Sequence, residues 1–383
     1  MVAEKIFKTA NALSEEYFER WEAICNIESP TSSKAGVDAV GQYFIDFAKS
    51  RSWQVEVHEE SVSGNAVCIT LNPEAKARPI SFSGHMDTVH PIGSFGYPPT
   101  RRDKENIYGP GVKDCKGGIL AGLMAMDVLE RCGFKDRPVQ LLLQSDEENS
   151  SLSSDKATIK YICEKAKDTV AFLNLEGEER GRACLERKGI VTFEFKVTGV
   201  EAHAAMCATA GANAILEAAH KIIKMEALKD ADGITCSTGI IEGGSVVNTV
   251  PGSCAFRCNI RYATEEQFEW VSEYAREVCD TTYVKGCNCE LSVIAKRVAM
   301  ERKEANFELL EKINRILGAH GLETFTPQRR NGGSDAADTT AYGLPTVDSI
   351  GVRGGKIHSA DEFAELDSLP LAATRLALVA WCI

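Results

Sequence analysis

Apolar residues change their spacing along this chain, and the changes divide it. In VDAVGQYFIDFAKS, Val37, Val40, Phe44 and Phe47 recur at helical spacing. Four short apolar runs follow, NAVCITL, RPISFSG, PVQLLLQ and VAFLNLE, each the length of a buried strand. Between the second and third lies GGILAGLMAMDVLERCG, an apolar helix that Gly133 is expected to stop. Helices alternating with buried strands predict an α/β sheet covered on both faces.

The pattern changes near Lys188. IVTFEFKV sets Val191, Phe193, Phe195 and Val197 against Thr192, Glu194 and Lys196, the signature of a half-buried strand. A helix follows in NAILEAAHKIIKM, with Ile215, Ala218, Ala219, Ile222 and Ile223 expected on its inner side. CAFRCNIRY alternates again, putting Arg257, Asn259 and Arg261 on the polar face. Thr264 and Gln267 form a capping box for a helix burying Phe268, Val271, Ala275 and Val278, and ELSVIAKRV reads as a last strand. Residues 188–298 therefore read β-α-β-β-α-β, a split ferredoxin-like unit inserted into a larger α/β domain of residues 1–187 and 299–383. Helical patterns resume at NFELLEKINRILGAHG and close the chain.

A formal charge of −12, with no basic cluster beyond short pieces such as Arg329 and Arg330, argues against nucleic acid and anionic membranes as partners. No run of about 18 apolar residues offers a membrane span. MVAEKIFKTANALSEEYFER carries acids where an export signal would be apolar, so a cytoplasmic address is expected. Fourteen cysteines are scattered without a CxxC pair, which suits reduced, mostly buried thiols better than disulfides or zinc knuckles.

Candidate chemistry gathers at strand ends and turns. SFSGHMDTVHP offers His85 and Asp87; YGPGVKDCKGG offers Asp114 before a glycine pair. LLLQSDEENSS puts Asp146, Glu147 and Glu148 after one strand, and FLNLEGEE puts Glu176 after another. GGKIHSADEF adds His358 in a glycine-rich loop. Any one of these acids could cap a helix and either histidine could be a surface residue. Together, adjacent carboxylates at strand ends repel unless a cation compensates them. Two histidines and three carboxylates, one of them shared, are the inventory for two zinc ions about 3.5–4 Å apart.

SGHMDTVHP, GPGVKDCKGG, SDEE, NLEGEE and GGSDAADTTAYGLPTVDSIGVRGGKIHSADEF together resemble the co-catalytic zinc peptidases of the aminoacylase and carboxypeptidase G clan. That clan also contains succinyl-diaminopimelate desuccinylase, acetylornithine deacetylase and peptidase T, and the likeness covers nearly the whole chain. It implies a phosphorylase/hydrolase-like α/β catalytic domain with an inserted α+β lid that carries a homodimer contact. It also implies that Asp114 bridges two zinc ions, for which cobalt or manganese could substitute. His85 and Glu176 would complete one ion's protein ligands, Glu148 and His358 the other's. Asp87 would accept the second N–H of His85, and Glu147 would be the general base.

In the lid, GVEAHAA resembles the family's GxxSHAG-like stretch, whose histidine reaches the partner subunit's active site and binds the oxyanion. His203 stands there, although Ala202 and Ala205 replace the usual small polar residue and glycine. SVVNTVPGSCAFRCNIRY resembles the segment whose asparagine and arginine hold the substrate carboxylate, here Asn248 and Arg261. A further basic residue for a glutamate side chain falls on either Lys296 or Arg297. The expected substrate is a small peptide or N-acyl amino acid cleaved next to a free carboxylate. A biosynthetic deacetylase or desuccinylase with the same machinery stays open; a catalytically silent binding or assembly module would have lost a ligand or the base, and none is missing. His90 follows the first motif closely enough to support a ligand, whereas His58, His220 and His320 show no partner pattern.

Overall fold

A computed structural model describes residues 2–230 and 233–383. The chain forms two compact units. The larger runs up to Glu186 and resumes at Arg302–Arg329 and Ser334–Ile383; the smaller holds Arg187–Glu301 and a short return of chain at Arg330–Gly333. That return is not legible in the hydrophobic pattern. It is tied in by backbone: Lys188 N–H donates to the Arg330 carbonyl at 3.2 Å, and Arg187 Nη1 to the Gly332 carbonyl at 3.0 Å.

In the larger unit, α1 (Val2–Cys25) and α2 (Lys34–Ser50) precede β1 (Gln54–His58), β2 (Ala66–Leu71) and β3 (Ile80–His85). Then come α3 (Lys116–Cys132), β4 (Val139–Gln144), α4 (Ala157–Ala166) and β5 (Phe172–Asn174). The sheet order is β1-β2-β4-β3-β5, with the short strand Thr346–Val347 beside β5. β2 pairs antiparallel with β1 and β4; from β4 onward the neighbours are parallel. All residues of β2 and β3 are buried, which explains their continuous apolar runs. The parallel register sets His85 opposite Gln144 and Ser83 opposite Asn174. Strands β3, β4 and β5 therefore end at one edge, the usual place for a ligand site in such sheets.

α3 is buried along nearly its whole length and packs against α1 and β3. Gly133 ends it in the left-handed conformation, φ 87°, as its position in the sequence predicts. At the other end Gly118 allows close approach: a Cβ there would lie 1.9 Å from the Leu175 carbonyl oxygen. The first turn of α3 thus rests on the exit of β5.

The smaller unit is built from β6 (Gly189–Thr198), α5 (Ala214–Glu226), β7 (Thr235–Gly243), β8 (Ser253–Tyr262), α6 (Glu265–Asp280) and β9 (Asn288–Arg297). They form an antiparallel sheet of order β7-β8-β6-β9, the split β-α-β-β-α-β arrangement. Val191, Phe193, Phe195, Phe256 and Ile260 meet Val271, Ala275 and Val278 of α6 in its core. Thr264 caps α6, accepting from Gln267 N–H at 3.2 Å.

The inner face of α5 differs from the expected one. Ala214, Glu217, Ala218, Lys221 and Met225 are buried, whereas Ile215 and Ile223 are 37% and 67% exposed. Lys221 explains the rotation. Its ammonium pairs with Glu217 at 3.0 Å and donates to the carbonyls of Val278, Cys279 and Thr281, the otherwise unsatisfied C-terminal end of α6. No helix among the described residues is long and apolar enough to cross a membrane, and no disulfide joins the fourteen cysteines.

Candidate active site

The strand-end residues converge in the larger unit. His85 closes β3, Glu147 and Glu148 follow β4, Glu176 follows β5, and Asp114 stands one residue before the Cys115 N-cap of α3. Asp114 lies between two imidazoles. Its Oδ1 is 3.0 Å from His85 Nε2, and its Oδ2 is 3.2 Å from His358 Nε2. Each histidine has a second carboxylate: His85 Nε2 is 3.5 Å from Glu176 Oε1, and His358 Nε2 is 3.4 Å from Glu148 Oε2. His358 has a left-handed backbone, φ 61°, on the glycine-rich loop.

The electrostatics of the metal-free chain follow from crowding acids in a buried edge. Burial alone would raise the Asp114 carboxyl, but hydrogen bonds from His358 and His85 hold it far below its usual range. Burial pushes Glu148 up to about 8 and also raises Glu176, which faces Asp114 as well. Burial works against a charged His85, yet Cys115, Asp114, Asp87 and Glu176 around it carry its pKa well above 6.5. Hydrogen bonds to Asp114 and Glu148 raise His358 to about 10. Asp114 is thus the carboxylate that the two imidazoles hold charged, while burial favours the neutral forms of Glu148 and Glu176.

These donors fit a divalent ion. Ligand atoms of His85, Asp114 and Glu148 lie within 4.8 Å of one another, and those of His85, Cys115 and Glu176 do the same. Mixed imidazole and carboxylate donors suit zinc and accept cobalt or manganese.

Asp87 meets the His85 ring, as expected, and also serves this edge in a second way. The His85 Nδ1 has the Asp87 backbone carbonyl at 2.9 Å and the carboxylate at 3.3 Å. The carboxylate also accepts from the amides of Glu147 and Glu148, both at 3.1 Å, and from the Thr31 hydroxyl at 2.7 Å. Asp87 therefore fixes the backbone that presents Glu147 and Glu148. Glu147 itself is buried, 6% exposed, beside Glu148.

Glu362 supports Asp114 and carries no sequence signal of that role, since it lies 248 residues downstream. Its Oε1 accepts from the amides of Lys113 and Asp114, at 2.9 and 3.0 Å. Its Oε2 accepts from Gly111 N–H at 3.3 Å and meets His90 Nε2 at 2.9 Å. His90 is thus held by Glu362. The other three histidines have local partners: His58 meets Glu60, His220 stacks on Tyr283, and His320 meets the Cys382 sulfur.

The remaining candidates lie in the smaller unit. His203 is exposed and pairs with Thr249, while Ala204 N–H donates to the Asn248 carbonyl at 2.8 Å, so His203 and Asn248 are neighbours. Arg261 is at the other end of the sheet. It pairs with Ile190, whereas Ser253, just after Asn248, pairs with Thr198. Eight residues of strand at about 3.3 Å each separate Ser253 from Arg261 by roughly 26 Å. Asn248 and Arg261 of one chain therefore lie at opposite ends of this sheet. Alternation puts polar residues on one face, but it says nothing of which end of the strand a residue occupies.

Arg261 donates to the Asn331 carbonyl at 3.1 Å, and near it Arg187 and Arg297 are each 5% exposed around Asn331–Gly333. Lys296 is committed elsewhere, to Glu265 at 2.8 Å and the Phe268 ring at 3.5 Å. Of the two residues left open, Arg297 is the one that joins the basic group, along with Arg187, which the sequence did not single out.

An α/β sheet thus carries a cluster of metal-capable donors at its carboxyl edge. Residues 81–381 match the model of peptidase family M20/M25/M40, and the chain belongs to that family. Carboxypeptidase G2 of Pseudomonas sp. (strain RS-16) is 26% identical over 373 residues, 95% of this chain and 88% of that one. The succinyl-diaminopimelate desuccinylase of Gluconobacter oxydans is 24% identical over 309 residues, 76% of this chain and 77% of that one. The crystal structure of a tripeptidase from Staphylococcus aureus superposes with a TM-score of 0.80 at 19% identity, covering 96% of this chain and 97% of the other.

Proposed function

We propose that this hydrolase uses two zinc ions to cleave the amide bond of a small peptide or N-acyl amino acid on the amino side of a free carboxylate. The observation that supports it most is Asp114, each of whose oxygens faces a different histidine with its own further carboxylate. His85, Asp114 and Glu176 would hold one ion, and Asp114, Glu148 and His358 the other. Bound there, the pair would supply Lewis-acid activation of a water and of the scissile carbonyl.

The chain's own groups would do the rest. Glu147, beside the ligands and anchored through its amide by Asp87, would take the proton of the attacking water and hand it to the leaving amine. Arg261 would hold the substrate carboxylate, with its planar fork suited to bidentate pairing. His203 and Asn248 lie at the sheet end away from Arg261, which supports their acting from a second copy of the chain, His203 as oxyanion donor. A homodimer through the smaller unit would cover the exposed edge strand β7, which carries Ile240 and Ile241 at 47% and 52% exposure.

A desuccinylase-type activity is the second reading, favoured by the succinyl-diaminopimelate desuccinylase of Gluconobacter oxydans among the proteins this chain is similar to. The deciding experiment assays N-acetyl and N-succinyl amino acids, folyl-glutamate and dipeptides with zinc, each beside its carboxyl-blocked twin. Free acids should be preferred by about 30-fold, the loss of one charge-assisted pair to the half-buried Arg261 guanidinium. Equal rates on free and blocked forms would refute the carboxylate clamp, and preference within the panel separates peptidase from desuccinylase.

A further inference from the structure

One thiol faces the metal edge without a role in the scheme above. Cys115 follows Asp114 and is fully buried. Its Sγ donates to the carbonyl of Leu175, the residue before Glu176, at 3.3 Å. On the other side lies Gly84, the residue before His85: a Cβ built there would be 2.9 Å from the same sulfur. The thiol is thus wedged between the exits of β3 and β5, beneath the two side chains those strands deliver. Sγ, an imidazole nitrogen of His85 and a carboxylate oxygen of Glu176 lie within 4.8 Å of one another. Among the described residues, Cys115 is the sole cysteine in any such group of metal-capable donors.

A buried cysteine is ordinarily a small apolar side chain with a weak S–H donor, and the other buried cysteines fit that description. Cys115 differs in its neighbours. In a tetrahedral zinc site, with Zn–N near 2.0 Å and Zn–S near 2.3 Å, nitrogen and sulfur are about 3.5 Å apart. The observed atoms all lie within 4.8 Å of one another, at most about 1.3 Å beyond that spacing.

We infer that Cys115 is a further protein ligand of the metal position formed by His85 and Glu176, making that position part thiolate. The inference rests on the reading that His85 and Glu176 hold a metal. Loading exchanges bonds without redox change: the S–H bond breaks, its proton leaves to solvent, and a sulfur–metal bond forms. A sulfur donor shifts this position toward zinc, cadmium and cobalt and away from manganese and magnesium, which prefer oxygen. It also fills a coordination place there, leaving the position of Glu148 and His358 as the more open one for substrate.

The test uses the full chain, stripped with a chelator and reloaded with cobalt(II). Wild type should show the visible bands of bound cobalt together with a near-ultraviolet thiolate-to-cobalt charge-transfer band. Cys115→Ser should keep the visible bands and lose the charge-transfer band. Its preference for zinc over manganese should fall by about tenfold or more, since even outer partners of metal ligands are worth that much. Should the Ser variant fail to fold, the cadmium-113 resonance of wild type decides, because one sulfur ligand moves it far downfield of a site with only nitrogen and oxygen. Visible bands without a charge-transfer band, or an unshifted cadmium resonance, overturn the role of Cys115 and leave the two-metal reading standing. No bound cobalt at all overturns both.

Discussion

Glu362 makes the most demanding test of how Asp114 is held. Its two oxygens face four donors, the amides of Gly111, Lys113 and Asp114 and the His90 ring, in a site with no exposure at Glu362. Glu362→Gln can keep its oxygen on Lys113 and Asp114. The new NH2 then meets His90, whose other tautomer accepts, but it also faces Gly111 N–H, donor against donor. The loss is one long hydrogen bond and the charge on the remaining ones, about 1–3 kcal/mol. Glu362→Ala strands all four donors and costs about 3–5 kcal/mol, the range for breaking a buried charged arrangement. Because the Asp114 amide is one of the four, zinc affinity should fall 10- to 100-fold in the Ala variant. Trp21, Trp53 and Trp381 lie in the larger unit and Trp270 in the smaller. Denaturant unfolding followed by tryptophan fluorescence in a Trp270→Phe background therefore reports the relevant unit. If Glu362→Ala unfolds at the wild-type midpoint, or if Gln is the more damaging change, the carboxylate does not hold the turn.

Three further expectations follow from the same geometry. Glu147→Gln should bind metal as wild type does while kcat falls about 10²–10⁴-fold, and a near wild-type kcat with full metal would exclude Glu147 as the base. The raised pKa values of His85 and His358, the latter about 10, mean that both carry protons at neutral pH without metal. Zinc must displace those protons, so its apparent affinity should climb between pH 6.5 and 8, with proton release seen by calorimetry in buffers of different ionisation enthalpy; a flat profile would contradict it. By the same sign, the contribution of His358 to the metal-free fold is complete below pH 6.5 and is lost as pH rises through about 10. Lys221→Met should destabilise the smaller unit by about 3–5 kcal/mol, because it leaves Glu217 charged and buried and uncaps α6; Glu217→Gln with Lys221→Met should recover part of that, and no recovery would show that the ion pair is not the cause.

The parts of this molecule that were legible in its sequence are those where hydrophobicity alone sets the geometry. β3 and α3 are buried on all sides, so SFSGH and GGILAGLMAMDVLERCG announce themselves as apolar runs. Strand ends are then where polar residues can reappear, which is why His85, Glu148 and Glu176 stood out. Prediction fell short where a charge does the work of an apolar residue or where a partner is distant in the chain. Lys221 is buried because its ammonium caps α6, so the amphipathic pattern of α5 pointed to Ile215 and Ile223 instead. Glu362 supports a turn 248 residues earlier, a pairing that no local pattern encodes. Asn248 and Arg261 share a segment, but an extended strand carries them apart by tens of ångströms, and a residue list has no direction. Cys115 was hidden for the opposite reason: a thiol satisfies an apolar pattern and a metal equally well, and only its position between Gly84 and Leu175 distinguishes the two.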